Sequence, residues 1–449
     1  MQQNKYEIDM TQGSLFKNVV LFSIPLMLSG LLQVFYNAAD VIVVGHFAGS
    51  DSLAAVGSTG SLTNLMINMF IGLSIGTAVL VANGFGSRNS EKISRSVHTA
   101  ITLSLISGVF LAVLGFFASK PALRLMGSPE NVIGKSTLYM RIYFMGMPAN
   151  MLFNFGSAIL RSVGDTRRPL YFSIISGMVN VLLNLFFVIA LHMDVAGVAL
   201  ATIISQMLSA TLVVLCLIRA DGAYKLNIHK LKIHKTELLE MMRIGLPAGL
   251  QGAMFSISNI IIQSSVNSFG STVMAGQAAS GNLASFIYIA QNAFQHTTLT
   301  ATAQNYGAKN AKRIKKSLFV SSLSVSVVGL LIGFGILTFA KPLLAIYTKE
   351  TAVVAAAVAI LAIECPTHWI CGLMETFVGA LRGLGSSVTP MIVTLVGTCL
   401  LRIVWVYTIF ANNHTIQTLF WSYPVSWFAT TLMHLVCFII LYSKKKKEI

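Results

Sequence analysis

Long apolar segments follow one another along almost the whole chain, separated by short polar connections. A window of about 19–20 residues, the length that crosses a bilayer as a helix, finds twelve of them. They cover residues 18–45, 55–82, 97–118, 133–160, 170–191, 196–218, 243–266, 275–303, 317–340, 352–380, 388–410 and 418–442. The pattern predicts an all-α membrane protein with twelve transmembrane helices.

The composition agrees with this prediction. Of the 449 residues, 55% are hydrophobic and only 10% are charged, and the mean hydropathy is +0.74. Soluble globular proteins do not have this composition. The five cysteines lie inside apolar segments without metal-ligand or disulfide spacing. The chain also lacks the phosphate-loop, HExxH and GxSxG motifs of common enzyme classes. We therefore expect a protein that is not an enzyme and that uses no cofactor besides a coupling ion.

The positive charge is distributed by topology. The chain has 31 Lys and Arg residues and a net charge of +16, and most of these cations fall in alternate connections and in the Lys444–Lys447 tail. The positive-inside rule places that set of connections, and both termini, in the cytoplasm. The basic excess is thus a sign of orientation, and we expect the bilayer, rather than nucleic acid, as the surrounding partner.

The chain contains an internal repeat of six helices. Pro25 and Pro247 lie 222 positions apart, and FGSRNSEKI at 85–93 matches YGAKNAKRI at 306–314. Since each copy has an even number of helices, both enter the membrane in the same sense, and a pseudo-two-fold along the membrane normal should relate them. We expect an N-terminal lobe at 1–218, a basic cytoplasmic linker at 219–243 and a C-terminal lobe at 244–449.

One carboxylate interrupts the first apolar segment. Gln33, Tyr36, Asn37 and Asp40 are spaced i, i+3, i+4, i+7 and therefore share one helix face. An acid in hydrocarbon costs at least about 2.5 kcal/mol, which makes Asp40 a candidate functional residue. Pro25, near the other end of this segment, is a candidate hinge.

Later segments carry further polar stripes. In the first half these include Asn180, Asn184 and Thr202, and in the second half they include Asn259, Gln263, Gln291, Gln295, Glu364, His368 and Glu375. The last three fall within about 40° of one another on a helix, and we predict that they face a cavity in the second lobe. For each amide or hydroxyl, simple helix–helix hydrogen bonding is the competing interpretation.

Several of these stretches together resemble the multidrug and toxic compound extrusion (MATE) family. The sequences that carry the resemblance are IPLMLSGLLQVFYNAADVIVVGHFAGSDSLAAVG (24–57), LRSVGDTRRP (160–169), NVLLN (180–184), VAGVALATIISQ (195–206) and IGLPAGLQ (244–251). The resemblance covers essentially the whole chain. It implies two six-helix lobes in a V, alternating access, and export of cationic amphiphiles in exchange for H⁺ or Na⁺.

The resemblance also implies site residues. The acid of the prokaryotic branch with a carboxylate on the first helix matches Asp40, and its usual surroundings match Tyr36, Asn180, Asn184 and Thr202. Many relatives have Asp where this chain has Asn184. Another branch has an acid on the seventh helix, where this chain reads AMFSIS (253–258).

We therefore expect a monomeric secondary multidrug exporter of a prokaryotic plasma membrane. The alternative is a flippase for a lipid-linked oligosaccharide precursor, which should have a strongly cationic cavity to hold a pyrophosphate. The predicted interior instead has three acids, with Arg141 and Arg402 nearer the outer ends of their segments. This balance favours the export of cations.

The coupling ion is open between H⁺ and Na⁺. A proton needs only one acid that titrates in the working pH range. Sodium needs several oxygen ligands, which Asp40, Asn180, Asn184 and Thr202 together supply, so a Na⁺ site near Asp40 is the second possibility. The further titratable groups Glu364, His368 and Glu375 favour H⁺.

Overall fold

The computed structural model describes residues 6–448, except for the side chains at positions 50, 58, 61, 64 and 65. This part of the chain forms twelve helical spans. They are α1 (Leu15–Phe47), α2 (Ser50–Gly86), α3 (Ser90–Leu125), α4 (Glu130–Met145 and Met147–Ser162), α5 (Arg167–Leu185 and Phe186–Ala190), α6 (Asp194–Ile218), α7 (Lys235–Asn267), α8 (Ser271–Gly307), α9 (Ala311–Thr338), α10 (Thr351–Gly383), α11 (Val388–Phe410) and α12 (Ile416–Lys445). The twelve-helix prediction is confirmed.

Ten of these spans, within residues 6–448, are long and apolar enough to cross a membrane by length and composition alone. The other two are α4 and α8. Helix α4 breaks at Gly146, which divides it into two 16-residue helices. Helix α8 is a 37-residue helix with many amide and hydroxyl side chains, so its mean hydropathy is low. The sequence repeat supports both as spans, because it pairs α4 with α10 and α8 with α2.

The chain divides into two compact units. Among the described residues, the first unit contains residues 6–8 and 28–249, and the second contains residues 9–27 and 250–448. Helices α1 and α7 therefore each contribute to both units, and each changes unit just after its proline, Pro25 or Pro247. The predicted lobes at 1–218 and 244–449 assigned each of these helices to one lobe and treated residues 219–243 as a linker, whereas the structure includes those residues in the first unit.

The repeat is visible in the backbone. Gly49 and Gly270, 221 positions apart, have φ angles of 87° and 88°. At the next connection Arg88 and Lys309 have φ angles of 55° and 56°, although residues other than glycine rarely adopt positive φ. The same backbone conformation at the same offset shows that the two halves turn their connections in the same way.

The start of the third helix of each half is also equivalent. The side chain of Asn89 accepts a hydrogen bond from the backbone N–H of Lys92, and that of Asn310 accepts one from Arg313. Asparagine is among the best residues at this position because its oxygen satisfies a free N–H group of the first turn. Both halves therefore begin this helix with the same cap.

Within the first unit, α2 and the first part of α7 approach to backbone contact. A Cβ atom on Gly72 would lie 2.3 Å from the backbone N of Gly249, and one on Gly76 would lie 2.3 Å from the Met241 carbonyl oxygen. Gly72 and Gly76, like Gly245 and Gly249, have the small-xxx-small spacing that lets membrane helices pack closely. Only glycine fits at this crossing.

The second unit has a different contact at the equivalent place. The repeat offsets relate Gly245 to Ser23 and Gly76 to Thr297, and the hydroxyl groups of Ser23 and Thr297 are hydrogen-bonded at 2.7 Å. Both side chains are buried. The first part of α1 is therefore held against α8 by a polar contact, whereas α7 and α2 pack through glycine.

Candidate functional site: a cavity around Asp40

A cavity of about 550 Å³ lies within the first unit and is lined by α1, α2, α4, α5 and α6. The whole predicted polar face of α1 lines it: Gln33, Tyr36, Asn37 and Asp40. The spacing argument is thus correct for α1, since these four side chains do share one face. Asn180 and Thr202 line the same cavity.

Asp40 is held by an amide on α5. The side-chain N–H of Asn184 donates to Oδ1 of Asp40 and also to Oδ1 of Asn180 at 3.3 Å. Asn184 is completely buried, and its own Oδ1 has no hydrogen-bond partner among the described residues. One amide therefore connects the carboxylate to the second asparagine of the stripe, and it presents N–H rather than oxygen to Asp40.

Tyr36 fixes α1 against α5. Its hydroxyl donates to the Ile174 carbonyl oxygen at 3.3 Å, and its ring lies on Gly177, where a Cβ atom would come within 1.9 Å of the ring. A side chain at position 177 would therefore collide with the Tyr36 ring, so this position needs glycine. On the same face of α1, Gln33 donates to Asn37 at 3.3 Å.

Thr202 is the fifth predicted coupling residue. Its hydroxyl donates to the Val198 carbonyl oxygen at 2.9 Å, within its own helix α6. The structure therefore brings all five predicted coupling residues together. Four of them line the cavity, whereas Asn184 is not part of the lining and reaches the site through its hydrogen bond to Asp40.

Sequence reasoning missed several residues that complete the lining. They are Thr59, Thr63 and Asn68 on α2, and Tyr139, Tyr143, Asn150 and Asn154 on α4. Tyr139 stacks on Tyr143 at 6.0 Å, and Asn154 donates to Asn150 at 2.9 Å and 3.0 Å. Both pairs have i, i+4 spacing, which is a signal that the sequence contained.

Asp40 is the only charged side chain among the described residues that line this cavity. The other polar groups are amides and hydroxyls, which carry no net charge. An ionised Asp40 therefore makes the lining net negative by one charge.

In the second unit, the predicted acids are buried among polar partners. Gln295 on α8 donates to Oε2 of Glu375, and Gln291 donates to the His368 carbonyl oxygen at 2.7 Å. Glu364, His368 and Glu375 are all buried. The predicted α8 and α10 stripes thus meet each other inside the second unit.

Arg402 is among the largest fully buried side chains, at 2% exposure. The sequence had predicted it near an outer end of its segment. Its Nε donates to Ser426 at 2.9 Å, and its guanidinium lies 4.1 Å from the ring centre of Tyr423. It is close enough to Glu364 for an electrostatic interaction. His368 stacks on Trp427 at 4.8 Å. The second unit therefore holds buried charges of both signs, unlike the first-unit cavity.

Two predicted residues of the second lobe stand apart from this group. Asn259 is exposed, and Gln263 donates to Asn267 at 3.0 Å. Neither forms a hydrogen bond to Glu364 or Glu375 within the described part of the chain. Their place in a substrate site stays a prediction.

Comparison with known families decides what kind of protein this is. The model of the MatE family matches residues 25–186 and again residues 247–408, so the two matches begin at Pro25 and Pro247 and repeat the internal offset. The chain belongs to the MatE family. The resemblance to multidrug and toxic compound extrusion transporters is thereby confirmed, and the chain is a multi-pass membrane transporter.

MatE relatives are similar over most of their length. A probable multidrug resistance protein, YoeA of Bacillus subtilis (strain 168), is 29% identical, over 86% of this chain and 85% of the relative. A FAD transporter of Shewanella oneidensis is 23% identical over 85% of both chains. The relatives are thus named for different kinds of transported compound.

Solved MatE structures share the fold. A solved structure of the outward-facing conformation of a multidrug resistance MATE family transporter of the MOP superfamily superimposes with a TM-score of 0.92, at 22% identity, over 100% of both chains. At this identity the comparison establishes the fold, and the site has to be argued from the residues of this chain.

Proposed function

We propose that this protein is a secondary active exporter of small organic cations, with a coupling cation bound at Asp40. The observation that supports the proposal most directly is the lone carboxylate of the first-unit cavity. A substrate cation and a coupling cation that both need this charge compete for it, and such competition is the simplest basis of exchange. The similarity to a probable multidrug resistance protein supports the same proposal.

The alternative of a lipid-linked oligosaccharide flippase receives less support. A pyrophosphate is bound by Arg and Lys side chains, and none lines the first-unit cavity among the described residues. Arg402 in the second unit is surrounded by Tyr423, Trp427 and Ser426. We therefore keep the exporter as the proposal.

The geometry at Asp40 bears on the coupling ion. Asn184 directs its N–H to the carboxylate, and an N–H donor repels a metal cation. Sodium would take oxygen ligands from Asp40, Asn180 and Thr202, and the Asn184 amide would have to turn to add its own oxygen. A proton needs no such change, which supports H⁺ as the proposed coupling ion.

Asp40→Asn tests the proposal. We expect the variant to insert and fold, because Asn keeps the shape of the side chain, and to lose gradient-driven efflux of a cationic dye from proteoliposomes. The matched control is Asp51→Asn, which changes an exposed acid at the start of α2. Full efflux by Asp40→Asn, or equal loss in both variants, would contradict the proposal.

A further inference from the structure

The lining of the first-unit cavity contains many more polar side chains than the lining of an ordinary small-molecule pocket. Most of its lining side chains are amides or hydroxyls, whereas pockets for drug-sized ligands are mostly lined by apolar and aromatic side chains with a few polar groups. The volume of about 550 Å³ is within the range of such pockets. The cavity is thus large enough for an organic ligand, but its lining differs from that of a pocket for a lipophilic ligand.

The charge of the lining limits the ligand further. Asp40 is the single charged group among the described lining residues, so it can balance one positive charge. An anion has no cationic partner there, and a dication leaves one charge without a partner in the lining, which is costly where that charge loses its water. The lining therefore fits a monocation.

Several amides of the lining have unused hydrogen-bonding capacity. Asn37 accepts from Gln33, and Asn154 donates to Asn150. This leaves the N–H groups of Asn37 and the oxygen of Asn154 without a partner among the described residues. A ligand that covers these groups without forming hydrogen bonds to them displaces their water, and the lost hydrogen bonds weaken its binding.

We propose that the first-unit cavity selects polar organic monocations, meaning cations whose frame carries several hydroxyl or amide groups, over lipophilic cations. The inference rests on the proposed function, since the ligand charge is balanced by Asp40. It replaces the amphiphilic cations expected from the family resemblance with a narrower class. In this class the charge pairs with Asp40, and the hydroxyl groups bond to the amides of α1, α2 and α4.

Matched nucleosides test this selectivity in purified protein reconstituted in nanodiscs. The probes are 1-methyladenosine, a hydroxylated monocation at neutral pH, its neutral isomer N6-methyladenosine, and the lipophilic cation tetraphenylphosphonium. We expect 1-methyladenosine to bind at least about 10-fold more tightly than either of the others, by titration calorimetry. Tighter binding of tetraphenylphosphonium, or equal binding of the two nucleosides, would overturn the inference.

The double variant Asn37→Leu/Asn154→Leu assigns the selectivity to the lining. It should weaken 1-methyladenosine by about 10-fold or more and leave tetraphenylphosphonium unchanged or tighter. The control is Asn413→Leu, in the exposed connection between α11 and α12, which should change neither. The ratio of the two affinities is the readout, because it does not depend on the folded fraction of a preparation. An unchanged ratio in the double variant counts against the inference.

The two proposals fail in different ways. If Asp40→Asn abolishes dye efflux while the wild-type protein prefers tetraphenylphosphonium, the exporter proposal stands and the selectivity inference falls. If Asp40→Asn leaves efflux intact, the exporter proposal falls, whichever probe binds more tightly.

Discussion

Asn184 is the residue whose side chain donates a hydrogen bond to the Asp40 carboxylate. It is buried, and its amide N–H bonds to both Asp40 and Asn180. Hydrogen bonds to charged groups are worth roughly 1.5–3 kcal/mol, about twice as much as neutral ones. Losing this one should therefore change how Asp40 binds a cation without removing the charge itself.

Asn184→Leu keeps the size of the side chain and removes the donor. We expect efflux in proteoliposomes to fall by about 10- to 100-fold, which corresponds to the loss of a charge-assisted hydrogen bond. Asn413→Leu is the control for an Asn-to-Leu change elsewhere. If Asn184→Leu transports normally, the amide does not position Asp40 for coupling.

Single residues also show how far sequence reasoning reaches. Asp40 could be predicted because one acid in an apolar segment is costly and its polar neighbours follow the helix period. The burial of Arg402 could not, since its partners Tyr423, Trp427 and Ser426 lie on the next helix and aromatic side chains in membrane helices look like ordinary filling. Stripes on one helix are visible in sequence, whereas clusters built across helices are not.

The crossing of α2 and α7 makes a prediction about a pair of helices. A methyl group on Gly72 would meet the backbone of Gly249, and backbone cannot move aside as a flexible side chain can. Forcing an extra methyl group into a packed interior typically costs about 1–3 kcal/mol. Gly72→Ala should therefore lower the thermal stability of the detergent-solubilised protein, measured by scanning fluorimetry.

Gly335→Ala is the matched control on α9, because a Cβ atom there would have no neighbour within 4 Å. Alanine is also the better helix former by about 1 kcal/mol, so this control should be neutral or slightly stabilising. Equal melting temperatures for Gly72→Ala and the wild-type protein would show that α2 and α7 are not closely packed in the folded protein.

Helices differ in how well hydropathy predicts them. Helix α8 has low mean hydropathy because its polar side chains, among them Gln291 and Gln295, face partners within the protein rather than lipid. Hydropathy measures the average over all faces of a helix, and it therefore underestimates helices that are buried in the bundle. The repeat supports this span independently, since α8 is the counterpart of α2.

For the whole molecule, the repeat was predictable and the division into units was not. Offsets of 221–222 residues are readable in the sequence, and the family model begins its two matches at Pro25 and Pro247. Which unit each part of α1 and α7 packs against depends on contacts such as Ser23 with Thr297. These contacts join residues far apart in sequence, and no local pattern specifies them.

The cytoplasmic orientation of both termini, the monomeric state and the hinge near Pro25 stay predictions. The orientation rests on the positive-inside rule. The position of the predicted hinge agrees with the boundary between the two units, since α1 changes unit just after Pro25. Proline removes a backbone hydrogen bond, and bends in helices concentrate at such positions.

The last prediction concerns the ion that drives transport. Sodium is bound by oxygen ligands, whereas Asn184 presents N–H to Asp40. A proton needs only the carboxylate. With H⁺ as the coupling ion, a pH gradient alone should drive dye transport in sodium-free proteoliposomes, and a protonophore should abolish it. A sodium gradient at equal pH on both sides should drive none. Transport that follows the sodium gradient and ignores the pH gradient would mean that the Asn184 amide turns its oxygen to the ion, and the proton would then be excluded as the driving ion.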